Sequence, residues 1–340
     1  MESSSKDTFK LLSIDGGGIK GFYSAIILQA FEKKYGPIGE YFDLISGTST
    51  GSIIGASLSR GVSTDEIIEF YQKDGPQILP SNYSLLRGWR LIKQIVFKSK
   101  YSNKKLRKSL ETLVGDVVMD DAKTRLAISA VDLDTFRGFI FRTSHTGVQN
   151  RDGKLKMVDV IMASSAAPSY LPIVSVEGVS ENLVDGALWA NNPTMMGIIE
   201  ALKFWVGPNK KYKKLAVLSL GNIDYNDGWS TIKPRETSML LWNKTLLSLT
   251  LNTATKSMEE MMEFIASEKL LKTEHYVRIA NTGATSAYKR QIGLDRTDKL
   301  PMREIAKLGE MDADYWLGRD EIDYFFENKI EKPDFPILKL

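Results

Sequence analysis

The chain of 340 residues contains no cysteine, and its only histidines are His145 and His275. The first absence excludes a disulfide-stapled scaffold and any zinc site built on thiolates. The second leaves only two imidazoles for any metal site or proton relay. No apolar run comes near the roughly 20 residues that a spanning helix needs. The N-terminal Met1-Glu2-Ser3-Ser4-Ser5-Lys6-Asp7 has neither the apolar stretch of a signal peptide nor the basic character of a transit peptide. Met1-Glu2 excludes N-myristoylation, and the ending Ile337-Leu338-Lys339-Leu340 carries no prenylation cysteine. A cytoplasmic location is expected, with any membrane contact peripheral. Internal repeats and low-complexity segments are also missing. Net charge is small, +3 from 45 basic and 42 acidic residues, so the overall balance says little about partners. What is present is 43% hydrophobic and 26% charged residues, a composition that excludes disorder and supplies a core for one large α/β domain or two smaller ones.

Two similar units open the chain. Residues 9–14 are an apolar run ending in Asp15-Gly16-Gly17-Gly18, and a helical pattern follows over 22–34. Residues 41–45 are a second run, leading into Gly47-Thr48-Ser49-Thr50-Gly51 and a helix over 52–59. Strand, glycine turn and helix, twice in succession, predict a mostly parallel α/β sheet. Further strands are expected at 125–131, 183–184 and 215–220. Residues 236–271 read as predominantly helical, with a methionine-rich stripe suited to core or lid packing. The segment beyond Glu310 reads as a helix docked by its aromatic residues, with a solvated acidic face. Between residues 87 and 108 stand nine basic residues and no acid, Arg87, Arg90, Lys104, Lys105, Arg107 and Lys108 among them. Aromatic and aliphatic residues are interleaved there. That mixture suits an anionic membrane surface or a phosphorylated ligand, and equally a solvated helix face over a packed stripe.

The chemistry concentrates in three places. Gly47-Thr48-Ser49-Thr50-Gly51 has the G-x-S-x-G form of a nucleophile elbow, with the strand before and the helix after that such a turn requires. Its serine would project at the positive end of the following helix. Asp15-Gly16-Gly17-Gly18-Ile19-Lys20-Gly21 would expose backbone amides to an anion, either a phosphate or the oxyanion of an acyl transfer. It also fits G-x-G-x-x-G, but the second strand ends in the serine turn and not in a ribose-binding acid, and the Gly-Lys-Ser/Thr of a P-loop is missing. The base for Ser49 is then the question. His145 lies in a polar turn and His275 at the start of a strand, settings where a lone histidine is usually structural. Asp185, in Leu183-Val184-Asp185-Gly186-Ala187, leaves an apolar strand directly into a turn of small residues. A carboxylate held beside a serine hydroxyl in a partly dry site accepts its proton without a third residue.

These three elements in order, with Asn191-Asn192-Pro193 shortly after the last, resemble the patatin-like phospholipase family over residues 9–220. The resemblance implies a three-layer α/β/α sandwich and hydrolysis of acyl esters in membrane phospholipids through an acyl-serine intermediate. It implies Ser49 as nucleophile, Asp185 as general base and the amides of Gly16, Gly17 and Gly18 as oxyanion hole. Asp15, Lys20, Gly21, Gly47, Thr48, Thr50, Gly51, Gly186 and Ala187 would support these motifs. Lys20 stands where the family usually has arginine, keeping the charge but losing the planar fork, and Asp185-Gly186-Ala187 replaces the usual Asp-Gly-Gly. No metal and no cofactor are implied, and neither DNA nor RNA. Residues 41–61 and 65–72 and the C-terminal extension are similar to bacterial patatin-like effectors of antiphage signalling. That likeness implies activation by a cyclic di- or trinucleotide and attack on the inner membrane, and it admits a homo-oligomer. The expected organisation is a polar tail over 1–8, a catalytic core over 9–220 and a mostly helical extension over 221–340, packed on the core as a lid or regulator. Two other readings stand beside this one: a nucleotide-binding module using Gly16 to Gly21, and a soluble esterase with a Ser-His-Asp triad using His275.

Overall fold

The structure is a computed structural model that describes residues 7–80, 99–144, 151–223, 239–281 and 293–333. At its centre lies β1, Thr8–Ile14, buried along its whole length. Alternation along this strand sends Leu12 and Ile14 into one apolar core and Phe9 and Leu11 into another. β7, Lys214–Ile223, divides in the same way, with Leu218 and Leu220 on the first side and Leu215 and Val217 on the second. A strand that is apolar on both faces must be covered on both, and three layers follow.

The first core is closed by helices α1 (Gly21–Tyr35), α2 (Thr50–Arg60), α3 (Thr64–Glu69), α4 (Gly75–Ile78), α5 (Asn103–Val114) and α6 (Met157–Ser164). After the short α7 (Ala187–Ala190), α8 (Thr194–Phe204) and α9 (Met239–Ser267) supply Met196, Ile198, Ala201 and Met262 to the second core. α10 (Lys299–Trp316) and α11 (Asp320–Phe326) return to the first. The described residues form one eight-stranded sheet. β3 (Arg125–Asp132), β2 (Leu44–Gly47), β1, β7 and β8 (Thr273–Asn281) run parallel in that order. β4 (Arg137–Arg142) and β6 (Ser180–Asp185) pair antiparallel with β3, and β5 (Val174–Val176) pairs with β6. This is the expected α/β/α sandwich with a mostly parallel central sheet.

The strands expected at 9–14, 125–131 and 215–220 are β1, β3 and β7. The one expected at 41–45 begins later, at Leu44, because Ile38–Glu40 is a tight turn and the Asp43 carboxylate, not a ladder carbonyl, takes the Lys10 N–H at 2.9 Å. The helix expected over 236–271 stops at Ser267, since Lys269 and Leu271 take positive φ (50° and 52°). The aromatic tail docks as expected. Phe325 and Phe326 of α11 are buried against Phe31, Tyr35, Tyr41 and Phe42, with the Tyr35 and Phe326 rings stacked at 4.2 Å. Beneath them the buried ammonium of Lys10 donates to the carbonyls of Phe325 (2.9 Å) and Asn328 (3.1 Å).

Candidate active site

β2 ends at Gly47 and α2 begins at Thr50, so Thr48 and Ser49 reverse the chain between them. Ser49 adopts φ 53°, ψ −121°, a backbone conformation that side-chain-bearing residues avoid and that stores on the order of 1–3 kcal/mol. Its surroundings hold it there. The Ser49 N–H donates to Ser164 Oγ at 2.9 Å, and the Thr48 hydroxyl lies 2.6 Å from both the Ala190 carbonyl and the Ser129 hydroxyl. Thr50 pairs with the Tyr71 hydroxyl. Gly51 is required by contact: a Cβ there would stand 2.1 Å from the Ile14 carbonyl oxygen. Only a bare backbone lets α2 approach the end of β1.

β6 delivers the partner. Asp185 pairs with Ala130 of β3, while Gly47 pairs with Ile128 of the same strand, so both ends reach one edge of the sheet. There the Ser49 hydroxyl donates to Asp185 Oδ2 at 2.7 Å. The other carboxylate oxygen accepts the Ala187 N–H at 2.8 Å across Gly186, which fixes the carboxylate plane. Burial pushes the Asp185 carboxyl up to about 7, against the lowering effect of those two hydrogen bonds. A carboxylate poised there accepts a proton near neutrality, whereas an exposed aspartate is too weak a base to do so.

The glycine loop meets the elbow from the end of β1. The Gly16 N–H is engaged by the Asn191 carbonyl at 2.9 Å, and its own carbonyl accepts from Asn222 Nδ2 at 2.7 Å. Gly17 and Gly18 border the cavity that contains Ser49 and Asp185, whereas Gly16 borders a smaller one behind the loop. Gly18 has φ 59°, and a Cβ on it would lie 2.3 Å from the Leu294 carbonyl oxygen, the acceptor of the Ile19 N–H. Asp15 lies behind the loop, bonded through both oxygens to Arg278 of β8 at 2.9 and 2.6 Å. The same guanidinium reaches Glu259 of α9 at 2.6 Å. Burial raises the Asp15 carboxyl above its ordinary range, and Arg278 offsets part of the rise. Lys20 is buried and points at the Ile223 carbonyl (3.3 Å), bordering the smaller cavity with Asp15 and Arg278; Gly21 starts α1.

The main cavity encloses about 900 Å³, its open mouth included. Ile19, Ile53, Phe70, Leu171, Leu247 and Leu251 are among its walls, so the polar pair sits at one end of an apolar chamber. Leu106 of α5 also lines it, while Lys104, Lys105 and Lys108 of that helix face solvent. Arg107 is bound to Asp159 at 2.6 Å, and Arg87 and Arg90 lie outside the described residues. His145 is outside them too. The histidine triad is overturned by position. His275 pairs with Ala216 at the opposite end of the sheet, bonded to the Glu321 carbonyl at 2.9 Å and packed on Tyr324 and Phe325. Among the described residues no cluster of three His, Asp or Glu side chains is arranged to hold a metal, and no helix is long and apolar enough to cross a membrane.

Ser164, Asn222 and the 294–295 turn lie in no recognisable motif, whereas Arg278 carries one sequence signal, a cation on a strand between the apolar Val277 and Ile279.

A strained serine between a parallel strand and a helix, bordering an apolar chamber, has the backbone geometry of the nucleophile elbow found in α/β hydrolytic folds. The patatin-like phospholipase family model matches residues 12–198, more than half the chain, and the protein belongs to that family. It is 30% identical to a cGAMP-activated phospholipase of Escherichia coli over 65% of this chain, and to one of Vibrio cholerae over 70%. The matches cover 64% and 71% of those relatives, the first just under two thirds of its length. Patatin-like protein 3 of Arabidopsis thaliana is 27% identical over 88% of this chain and 79% of its own length.

Proposed function

We propose that the protein is a lipid acyl hydrolase acting on membrane phospholipids through Ser49 and Asp185. The observation that carries this reading is the 2.7 Å hydrogen bond from the serine hydroxyl to a buried carboxylate at the end of an apolar cavity. Asp185 takes the hydroxyl proton as Ser49 Oγ attacks the ester carbonyl. The negative charge on the carbonyl oxygen is met by the amides of Gly17 and Gly18, with Gly16 serving to pin the loop, and by the N-terminal end of α2. The protonated Asp185 returns its proton to the departing alcohol. Water then attacks acyl-Ser49, giving one proton to Asp185, which passes it to Ser49 Oγ as the bond to the acyl carbon breaks and the fatty acid leaves.

Two relatives whose names include activation by cGAMP support a further step, in which a cyclic di- or trinucleotide switches this enzyme on in antiviral defence. Action at the cytoplasmic face of the inner membrane fits exposed Lys104, Lys105 and Lys108 on the helix that also supplies Leu106 to the cavity. Fatty-acid release from liposomes of bacterial lipids tests the whole reading, with and without a panel of cyclic nucleotides. Release by the wild type and none by Ser49→Ala or Asp185→Asn is expected, with His275→Ala retaining most activity. Full activity in Asp185→Asn sinks the pair. Silence of the wild type in every condition shifts weight to a nucleotide-binding module.

A further inference from the structure

At the mouth of the Ser49 cavity stands a cluster that the acyl-transfer steps leave unused. Tyr101, Tyr170 and Asp295 come from three separate segments. Hydrogen bonds from the Lys100 N–H to the Ser169 carbonyl (3.0 Å) and from the Tyr101 N–H to the Tyr170 carbonyl (2.8 Å) join the first two. Asp295 follows Leu294, whose carbonyl accepts the Ile19 N–H at 3.0 Å, so the carboxylate is one residue from an anchor on the glycine loop. The Tyr101 hydroxyl donates to Asp295 Oδ2 at 2.7 Å. Tyr170 and Asp295 line the same cavity as Ser49 and Asp185.

Into this corner Lys100 places its own ammonium group. It pairs with Asp295 and lies 5.0 Å from the Tyr101 ring centre and 5.5 Å from that of Tyr170. Two aromatic rings and a carboxylate around one cation are the parts from which proteins build sites for organic ammonium groups. The occupant is held loosely. The Lys100 side chain is 38% exposed, and an ion pair of that kind adds little to stability. Asp295, at 14%, has a second partner in the Tyr101 hydroxyl, which does not depend on the lysine.

We propose that this corner is the headgroup subsite for a zwitterionic phospholipid, an inference that rests on the lipase reading above. The ammonium of an ethanolamine- or choline-type head takes the place of Lys100 against Asp295, Tyr101 and Tyr170. Lys100, released, turns onto the phosphate of the same head. One internal ion pair is thereby exchanged for two between protein and lipid, with every charge still matched. The acyl chain occupies the apolar chamber and its ester lies at Ser49, next to the loop on which the Asp295 turn is anchored.

The test uses Ser49→Ala as the background, so that binding is read without turnover. Calorimetric titration compares lysophosphatidylethanolamine with lysophosphatidylglycerol, both below their critical micelle concentrations. Adding Asp295→Asn is expected to weaken the ethanolamine lipid by about tenfold, the factor that one charge-assisted contact carries, and not to weaken the glycerol lipid, whose phosphate gains the freed Lys100. Lys100→Met should leave the glycerol lipid nearly unchanged, because that lipid has no ammonium to displace the lysine from Asp295. Tyr170→Leu removes one ring without touching the hydrogen bond that holds Asp295, and it should reproduce the selective loss even if Asp295→Asn folds poorly. Equal weakening of both lipids by Asp295→Asn and Tyr170→Leu, or no change in either, overturns the subsite. Retained selective binding together with no hydrolysis of any ester by the Ser49 protein leaves the subsite standing and sinks the lipase reading.

Discussion

At the scale of single residues, Asp185 carries the clearest electrostatic consequence. Its carboxyl is pushed up to about 7 by burial, so below that pH it holds a proton and cannot take one from Ser49. On a soluble ester, kcat/KM should therefore fall about tenfold per unit below pH 7, giving an acid limb centred there. The same burial has a cost in stability. The native state holds this proton more tightly than the unfolded chain, whose aspartates titrate at about 3.9. Stability is consequently lost as the pH rises from about 4 to about 7, and it stays lower above. Asp185→Asn should abolish turnover yet melt at a higher temperature than the wild type at pH 8, with the gap closing toward pH 4. Thermal melts at the two pH values check both sign and range. A mutant less stable than the wild type at pH 8 would show that the carboxylate is better solvated than its burial implies.

Among the elements, β8 and α9 act through one guanidinium. Arg278 binds the buried Asp15 at the head of the glycine loop and also Glu259 of α9, the helix that sends Leu247 and Leu251 into the cavity. Arg278→Met leaves Asp15 buried and unpaired, which should reduce stability by about 3–5 kcal/mol, and the double variant Asp15→Asn/Arg278→Met should recover part of the loss. Denaturant unfolding of the single and double variants measures this. β8 also shows how far the sequence could be read. The first two strand–turn–helix units and the turn after β6 were legible because glycine, serine and aspartate at sharp turns leave a local signature. β4 and β5 carry no such signature, being short and at or near the sheet's antiparallel edge. On β8 the imidazole of His275 is the conspicuous group in sequence, yet Arg278 three residues on holds the loop through Asp15. Partners of that kind lie 263 residues apart in the chain and are visible only once the sheet brings them together.

For the whole molecule, the exposed lysines of α5 and the docked C-terminal helix set two expectations. Neutralising Lys104, Lys105 and Lys108 together should weaken binding to anionic liposomes, more strongly at low salt than at high. Arg107 is better left intact, because it braces Asp159 at 2.6 Å. Co-sedimentation across a salt series decides the matter, and binding unaffected at low salt would reduce these lysines to a solvated face. Removing everything after Trp316 strips α11 from Phe31 and Phe42 and takes both carbonyl partners from the Lys10 ammonium. Such a chain should be insoluble or bind a hydrophobic dye, and a soluble, active product would contradict this. The lysine has a last consequence, in time. It sits in the middle one of the five parallel strands yet is satisfied by a carbonyl synthesised 315 residues later. The growing polypeptide thus leaves the ribosome with this buried cation unsatisfied until residues 325–328 have followed it.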